Sequence, residues 1–309
     1  MGQDYGYALV AFYVATLLAV AAYGCHRYAL LYLYLKHHKR ELKPARRFEE
    51  LPFVTVQLPM YNEDVVAERI IAAACQMDYP LDRFEVQVLD DSTDPVAAQV
   101  AREACEKWAA KGYPIQYIHR TNRSGYKAGA LEHGLGICRG ELVAIFDADF
   151  VPPRDMLRNT VDYFTDPKIG MVQVRWDHLN RNASLLTRSQ AIFLDGHFVI
   201  EHTARNRSGR FMHFNGTAGI WRKETIRDAG GWQHDTLTED LDLSYRAQMK
   251  GWKFVYLPQY SAPAELPPEM CAFKQQAHRW TKGSVQTCLK LLPTILRSNM
   301  GWRIKLEAF

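Results

Sequence analysis

The segment of the sequence most informative about the fold is Leu142-Val143-Ala144-Ile145-Phe146-Asp147-Ala148-Asp149. Its first five residues are all apolar, as is typical of a strand that is buried on both faces of a parallel sheet. Two carboxylates follow at the carboxyl end of that strand, which is the edge where open α/β sheets bind their ligands. The stretch therefore predicts a buried parallel strand that presents two acids to a ligand.

Strand and helix patterns alternate on both sides of this stretch. Strands are predicted at 53–58, 84–89, 115–119, 142–146 and 171–175, and helices at 65–76, 95–111, 128–135 and 156–164. Pro59 is predicted to end the first strand, and Asp64 and Asp94 are predicted N-caps. The βαβ series predicts an α/β fold with a mainly parallel sheet flanked by helices.

Composition limits the class of protein. The chain has 309 residues, enough for one large α/β domain with additional segments, and a net charge of +4. Because positive and negative charges nearly balance, the composition does not indicate a nucleic acid partner. The six cysteines form no Cys-x-x-Cys pair, which argues against a zinc site or a disulfide framework and fits a reducing compartment.

The N-terminal segment is apolar. Residues 5–26 contain no Asp, Glu, Lys or Arg, and a basic cluster follows, including Lys36-His37-His38-Lys39-Arg40. About 20 apolar residues cross a bilayer as a helix, and positive charge beside a span marks its cytoplasmic side. We expect a transmembrane anchor at 1–26 with its N-terminus outside, and a basic cytosolic linker at 27–51. The alternatives are a buried core helix or a signal peptide, although a signal peptide carries its positive charge before the apolar run.

The chain after this linker divides into two predicted parts. A cytosolic globular domain is expected at 52–271, and interfacial helices at 272–309. Residues 288–297 are amphipathic and could lie along a membrane surface. Residues 302–309 stop without a cap or a polar tail, so we expect the chain to be a fragment.

Asp147 and Asp149 are candidate metal ligands. Residues two apart on an extended chain point the same way, so their carboxylates repel one another unless a cation lies between them. Mg²⁺ or Mn²⁺ bound to a diphosphate is the natural occupant. Alternatively, the two are exposed loop acids.

Three further groups of polar residues are candidates for binding or catalysis. Asp90 and Asp91 follow the strand 84–89 and could bind a base or a ribose, or could form a solvated turn. Asp240 could accept a proton from a hydroxyl group. Asp242 is a rival for that role, and both acids could simply favour the first turn of a helix.

The last group contains Gln276, Arg279 and Trp280. An arginine can hold a diphosphate, and an indole can stack on a sugar ring. The alternative is an interfacial helix with an amphipathic tryptophan.

Together these motifs resemble those of the processive glycosyltransferases of family 2, which include cellulose, chitin and hyaluronan synthases. The similarity is closer still to the cellulose synthase-like A and C proteins, which make mannan, glucomannan and glucan backbones. It covers about residues 52–285. The segments that carry it are Pro59-Met60-Tyr61-Asn62-Glu63, Lys127-Ala128-Gly129-Ala130-Leu131, Arg175-Trp176-Asp177-His178-Leu179-Asn180, Phe214-Asn215-Gly216-Thr217-Ala218-Gly219 and Asp228-Ala229-Gly230-Gly231-Trp232.

The resemblance implies a GT-A type fold and a role for each matching position. Nucleoside binding would fall to Tyr61, Glu63, Asp90 and Asp91, and contact with the sugar or diphosphate to Lys127. The metal-bound diphosphate would be held by Asp147 and Asp149, and Asp240 would be the base. The acceptor end would be lined by Phe214, Asn215, Gly216, Thr217 and Glu239, while Gln276, Arg279 and Trp280 would hold the leaving diphosphate and the acceptor sugar.

The implied reaction is an inverting, Mg²⁺- or Mn²⁺-dependent transfer of a hexose from UDP-glucose or GDP-mannose to the end of a growing β-linked polysaccharide. The implied partners are the donor, the polysaccharide acceptor, the lipid bilayer and a second copy of the chain. Family members carry more transmembrane helices after the Gln-x-x-Arg-Trp region, and residues 286–309 resemble the stretch that precedes them. Two alternatives stay open: transfer of one sugar to a membrane lipid, as in ceramide glucosyltransferases, and a non-catalytic scaffold in an envelope complex.

Overall fold

The computed structural model describes residues 2–307, with side chains from residue 6 to residue 305. Met1 of the predicted anchor, and Ala308 and Phe309 of the predicted interfacial segment, lie outside the described residues. The α-helices are α1 (Gly2–His37), α2 (Asp64–Cys75), α3 (Pro95–Ala109), α4 (Tyr126–Ile137), α5 (Met156–Thr160), α6 (Leu185–Asp195), α7 (Thr203–Arg207), α8 (Lys223–Asp228), α9 (Glu239–Met249), α10 (Met270–Arg297) and α11 (Trp302–Glu307).

Shorter helical turns complete this inventory. Two 3₁₀ helices cover Leu81–Arg83 and Val161–Thr165. A π-helix, Gly196–His202, joins α6 to α7. Turns of π-helix are rare and frequently occur at functional sites.

The strands form one mixed sheet. They are β1 (Val54–Met60), β2 (Phe84–Asp90), β3 (Ile115–His119), β4 (Leu142–Ile145), β5 (Ile169–His178), β6 (Gly219–Arg222) and β7 (Lys253–Ala264). Their order is β3-β2-β1-β4-β6-β5-β7. The first four strands are parallel to one another, β6 is antiparallel to β4 and β5, and β5 is parallel to β7. The predicted mainly parallel α/β sheet is confirmed.

The sheet is covered on both faces because its central strands are apolar on both sides. Leu142 and Ala144 of β4 belong to the core on one face, with residues of α2 and α3. Val143 and Ile145 belong to the core on the other face, with residues of α4 and α9. This explains why the motif strand shows no polar alternation.

Several predicted boundaries are wrong in detail. Pro59 does not end β1, which continues to Met60. The pairing of β1 with β4 stops at Gln57, so the strand resembles an edge strand beyond that point and accommodates a residue without N–H. Asp64 is the first residue of α2, and Glu63 lies at the cap. Asp94 does cap α3, since its carboxylate accepts from Val96 N.

The N-terminal helix extends beyond its predicted end at residue 26. It continues to His37, so residues 27–37 are helical and do not form a linker. Residues 6–37 are long and apolar enough to cross a membrane. The helix contacts the π-helix and α7 near its C-terminal end, where Leu30 is buried and Arg27 Nη1 lies 2.9 Å from Glu201 Oε2. The apolar helix is therefore docked against the globular domain at one end.

Candidate active site

Loops from the carboxyl ends of β1 and β4 bring acids together. Asp147 and Asp149 follow β4 and are half-buried, and Glu63 follows β1 within electrostatic reach of both. Partial burial, and then the charge of Asp147, raise the pKa of Asp149 to about 7. These carboxylates repel one another and so form a set of oxygen ligands suited to a divalent cation.

Lys127 of α4 connects these acids to the next part of the site. Its Nζ lies 2.5 Å from Asp147 Oδ1 and donates a hydrogen bond of 3.0 Å to Gly216 O. Burial alone would lower the pKa of Lys127, but the carboxylates of Asp147, Glu239 and Asp240 raise it above its usual value. The side chain is therefore a permanent cation at neutral pH.

Gly216 lies between Lys127 and Asp240. Its φ is +80°, in the left-handed region that favours glycine. A Cβ atom at this position would lie 3.2 Å from Asp240 Oδ2 and 3.4 Å from Lys127 Nζ. The absence of a side chain at position 216 therefore lets the base candidate and the cation approach the same point.

Asp240 lies in the first turn of α9, next to Glu239, and both are half-buried. Burial, and then the charge of Glu239, raise the pKa of Asp240 to about 7, and burial also raises the pKa of Glu239. A general base works best with a pKa near the operating pH. Asp240 therefore has both the position and the acidity of a proton acceptor.

Asp242, the rival candidate, points elsewhere. Its carboxylate is fully buried and lies 2.7 Å from Arg246 Nη2 and 2.9 Å from Lys290 Nζ. Arg246 also donates to Gly231 O at 2.9 Å. Asp242 is thus neutralised inside the protein, where it ties α9 to α10.

Helix α10 is held against the start of α9. Gln286 Oε1 accepts from Leu237 N at 3.0 Å, and the hydroxyls of Thr238 and Thr287 lie 3.1 Å apart. A Cβ atom on Gly283 would meet Thr238 Cγ2 at 2.5 Å, so only glycine permits this approach. These contacts position the Gln276, Arg279 and Trp280 motif relative to Asp240.

The three residues of that motif occupy different surroundings. Arg279 is exposed. Its positive charge lowers the pKa of Glu239 and so opposes part of the rise that burial causes. Trp280 is half-buried against the core between the sheet and α9. A cavity of about 490 Å³ is lined by Pro267, Ala272, Gln275, Gln276, His278 and Arg279. Gln276 and Arg279 can therefore contact a ligand beside the acidic turn of α9.

Asp90 and Asp91 are both buried, and protein groups occupy their carboxylates. Asp90 accepts from Ser92 N at 2.9 Å and from Tyr117 OH at 2.6 Å. Asp91 is bound by both Nε and Nη2 of Arg120, at 2.7 and 2.5 Å. Neither is a residue of a solvated turn. Their predicted contact with a nucleoside stays a prediction.

Sequence reasoning missed several residues around Tyr61, which is 37% exposed. The Arg123 guanidinium lies 3.2 Å from the centroid of the Tyr61 ring and 5.0 Å from that of Tyr126. Asn62, at φ +54°, accepts from Thr93 N at 2.9 Å and so joins the loops after β1 and β2. The residue type at position 62 does favour such a turn, because asparagine tolerates positive φ. No sequence pattern connected Arg123 to Tyr61.

The structure corrects most of the predicted acceptor-lining segment. Phe214 is fully buried against Trp221, with ring centroids 5.6 Å apart, so its side chain cannot contact an acceptor. Thr217 is also fully buried, and its hydroxyl accepts from Asp147 N at 2.9 Å. The Asn215 amide points towards histidines, at 3.1 Å from His197 Nε2. Only Gly216 of this segment adjoins Asp240 and Lys127.

The assembled groups have a definite chemical capacity. Acidic oxygens can hold a divalent cation, Lys127 can hold an anionic group, and Asp240 can remove a proton from a hydroxyl close to Gly216. These are the requirements of an attack by a hydroxyl on a substrate with an anionic leaving group.

Three curated plant proteins of similar sequence carry the name glucomannan 4-beta-mannosyltransferase. Protein 1 of Oryza sativa subsp. japonica is 47% identical over 251 residues, which is 80% of this chain and 48% of that protein. Protein 2 of Arabidopsis thaliana is 45% identical over 84% of this chain and 50% of its own length. Protein 1 of Cyamopsis tetragonoloba is 43% identical, with 85% and 51% covered. The chain thus spans about half the length of these relatives.

Solved structures share the fold. The mannosyltransferase PcManGT from Pyrobaculum calidifontis, in complex with GDP-Man and Mn²⁺, has a TM-score of 0.71 and 24% identity, covering 93% of this chain and 79% of that chain. TarS from S. aureus, residues 1–349 in complex with UDP, has a TM-score of 0.55 and 16% identity, and the match covers 83% of this chain and 69% of that chain. The profile of Glycosyltransferase like family 2 matches residues 52–283, and this chain belongs to that family.

Proposed function

We propose that the protein transfers mannose from GDP-mannose to the end of a growing β-linked polysaccharide, with inversion at the anomeric carbon. One observation carries the proposal. Lys127 contacts Asp147 on the cation side of the site, and Gly216 brings the same ammonium next to Asp240 on the base side. Lys127 therefore lies next to both the proposed ligands of the donor and the proposed base for the acceptor.

A divalent cation, Mg²⁺ or Mn²⁺, fits the acids after β4. Asp147 and Asp149 would hold it, since both carboxylates are half-buried and lie close together. Lys127 contacts Asp147 and so supplies one positive charge beside the two negative ones. Burial, and then the charge of Asp147, raise the pKa of Asp149, and a cation beside the carboxylate would offset both effects. When bound, the ion would stabilise the negative charge of the leaving diphosphate.

The proposed chemistry is a single displacement. Asp240 removes the proton from the acceptor hydroxyl, whose oxygen then bonds to the anomeric carbon as the bond from that carbon to the diphosphate oxygen breaks. Lys127 and Arg279 hold the departing negative charge. Because the attack comes from the face opposite the diphosphate, an α-linked donor gives a β-linked product.

The identity of the donor and the product is argued from the relatives. The plant relatives are named as mannosyltransferases acting on glucomannan, and PcManGT was solved with GDP-Man and Mn²⁺. These names favour GDP-mannose over UDP-glucose and a β-1,4-linked product. The exposed aromatic rings of Tyr61 and Tyr126 on either side of Arg123 would stack on the base of the donor.

We also propose that α1 crosses a membrane with its N-terminus outside and that the catalytic domain is cytosolic. The basic residues Lys36 and His37 lie in the last turn of α1, beside the globular domain. Positive charge favours the cytoplasmic side. A reporter fused before residue 6 should be accessible from outside intact cells, whereas one inserted near residue 40 should not.

The function is tested by incubating membranes that contain the protein with radiolabelled GDP-mannose and, separately, with UDP-glucose. We expect Mn²⁺- or Mg²⁺-dependent labelling of a polymer from GDP-mannose that an endo-β-1,4-mannanase degrades. Membranes with the Asp240→Asn variant provide the matched control. A labelled single-sugar lipid as product would overturn the polymer proposal, and the absence of any transfer would support a scaffold.

A further inference from the structure

Three histidines form a cluster on the side of the molecule where α1 docks. His197 and His202 belong to the π-helix, and His213 lies just before the buried Phe214. One ring nitrogen of each lies within 4.8 Å of the others. The ring centroids of His197 and His202 are 4.4 Å apart, and those of His202 and His213 are 5.0 Å apart. None of these residues contributes to the transfer mechanism.

The tautomer of His197 directs a lone pair into the cluster. Its Nδ1 lies 3.3 Å from Glu201 Oε2, and a carboxylate can only accept, so Nδ1 carries the proton. Nε2 is then unprotonated in the neutral ring. A histidine whose second nitrogen donates to a carboxylate is the usual arrangement of a metal ligand, because the carboxylate orients the ring and raises its basicity.

A second lone pair points to the same place. The Asn215 Nδ2 group lies 3.1 Å from His197 Nε2 and 3.2 Å from His213 Nε2. Two imidazole nitrogens therefore accept hydrogen bonds from one small donor. The amide oxygen Oδ1 of Asn215 is buried without a hydrogen-bond partner among the described residues. A half-turn of the amide would present this oxygen to the same point.

The surroundings of His202 give the strongest argument for a ligand at this cluster. It is fully buried, and neither Nδ1 nor Nε2 has a hydrogen-bond partner in the part of the chain that the structure describes. An unpartnered polar group in a protein interior costs about 1–3 kcal/mol. A ligand that accepts the imidazole lone pair would remove this cost.

Two of the three rings lie in surroundings that disfavour their protonation. Burial, and then the neighbouring His197, lower the pKa of His213 to about 3 and that of His202 well below its usual range. Glu201 supplies a negative charge beside the cluster, which it shares with Arg27 and Arg205.

We propose that His197, His202 and His213 form a binding site for a transition-metal ion of the zinc type, separate from the carboxylate pair Asp147 and Asp149. Three imidazoles match a borderline-soft ion such as Zn²⁺ and not Mg²⁺, which prefers oxygen. Zinc–nitrogen bonds are about 2.0–2.1 Å, so small side-chain rotations must bring the nitrogens closer. Asn215 Oδ1 or water completes the coordination. The 22% exposed side chain of His197 provides an entry path.

The ion would fasten two elements that meet near the site. His197 and His202 lie on the π-helix that contacts α1, whereas His213 lies three residues before Gly216. The metal would therefore hold the segment that passes between Lys127 and Asp240 against the helix at the membrane end of the domain. Its role is structural, and it makes no contact with the transfer chemistry.

The test uses the full chain in detergent, loaded with Zn²⁺ and dialysed against Mg²⁺ without chelator. Metal analysis should find one zinc per chain in the wild type and in Asp149→Ala. The ion should be lost in His202→Gln and in His213→Gln, and retained in His178→Gln, a buried histidine outside the cluster. Zinc should raise the unfolding temperature of the wild type and leave that of His202→Gln unchanged.

A spectroscopic measurement on the unmodified chain makes the test independent of variant folding. Co²⁺ in place of zinc should give the intense visible absorption of a four-coordinate, imidazole-bound ion and not the weak bands of a six-coordinate oxygen site. The proposal is overturned if the dialysed wild type retains no zinc, if zinc is lost in Asp149→Ala and kept in both cluster variants, or if Co²⁺ shows only weak bands.

Discussion

Two groups of charged residues lie on opposite sides of the first turn of α9, and they differ in charge balance. The Lys127 cluster contains one ammonium and the carboxylates of Glu63, Asp147, Asp149, Glu239 and Asp240. The Asp242 cluster contains one buried carboxylate between Arg246 and Lys290. In the first, negative charge is in excess and carboxyl pKa values rise towards 7. In the second, the carboxylate is fully neutralised.

This difference is the one expected between a ligand site and a structural site. Buried charges are tolerated when they are paired, so the Asp242 cluster is complete without any other molecule. The Lys127 cluster is incomplete, because its excess carboxylates require a cation or protons. Four experiments test whether the two clusters differ in this way.

The largest effect is expected for Asp149→Ala. A divalent ion is held poorly by one carboxylate, so transfer should fall below detection and affinity for the nucleotide diphosphate should drop. Glu265→Gln is the matched control, because Glu265 lies near Asp149 but is paired with Arg69. Rates with Mn²⁺ and with a chelator measure the effect. Undiminished transfer by Asp149→Ala in the presence of chelator would refute the metal site.

Asp240→Asn should have the next largest effect. The change keeps the size of the side chain and removes the base, so the transfer rate should fall by about two to four orders of magnitude. Donor affinity and the unfolding temperature should change little, because the donor is assigned to other residues. The comparison is an initial-rate assay beside equilibrium binding of GDP-mannose. A near-normal rate would mean that the base is another group.

Asp242→Asn should act on stability. The change takes the carboxylate partner from the half-buried Arg246, and it leaves Lys290 with only one carboxylate partner, Asp235, whose Oδ1 lies 2.7 Å from Lys290 Nζ. The free energy of unfolding should therefore fall by about 1–3 kcal/mol. The rate per folded molecule should stay close to that of the wild type. Chemical denaturation, with activity normalised to the folded fraction, measures both quantities. A variant of wild-type stability that is inactive would exchange the roles of Asp240 and Asp242.

The smallest effect is the pH dependence of stability without a divalent ion. Folding raises the pKa of Asp149 from 3.8 to about 7, so the folded state binds this proton more tightly than the unfolded state. Its contribution is complete at low pH and is lost as the pH rises through about 7. In the presence of chelator, the unfolding temperature should therefore fall as the pH rises from 3.8 to about 7. The fall should be less steep for Asp149→Asn. Identical slopes for the two proteins would contradict the raised pKa.

Local patterns explain which elements were predictable. The first four strands and α2, α3 and α4 were recognised because each combines an apolar period with a turn or cap signal within a short window. The second half of the sheet is harder to predict from the sequence. β5 was predicted only over residues 171–175, although it runs from Ile169 to His178, and β6 and β7 were not predicted. The antiparallel insertion of β6 depends on pairing with strands far away in sequence.

The candidate site also combines features that are predictable from short windows with features that depend on distant residues. Asp147, Asp149, Lys127 and Asp240 were identified from the sequence, and the structure brings them together. Phe214 and Thr217 were assigned to the acceptor from a motif, yet both side chains are fully buried. A motif identifies a segment, but the direction of each side chain depends on which neighbours it packs against.

Three features can be read directly from the sequence: an apolar strand that ends in two acids, βα units on both sides of it, and an apolar helix before the domain. These are properties of short windows, in which hydrophobic periodicity and turn chemistry suffice. Other features appear only in the packed chain: Asp240 faces Lys127, Asp242 faces Lys290, and three histidines converge. The physical reason is that charge balance and burial arise from residues distant in sequence, and so exist only after the chain has packed.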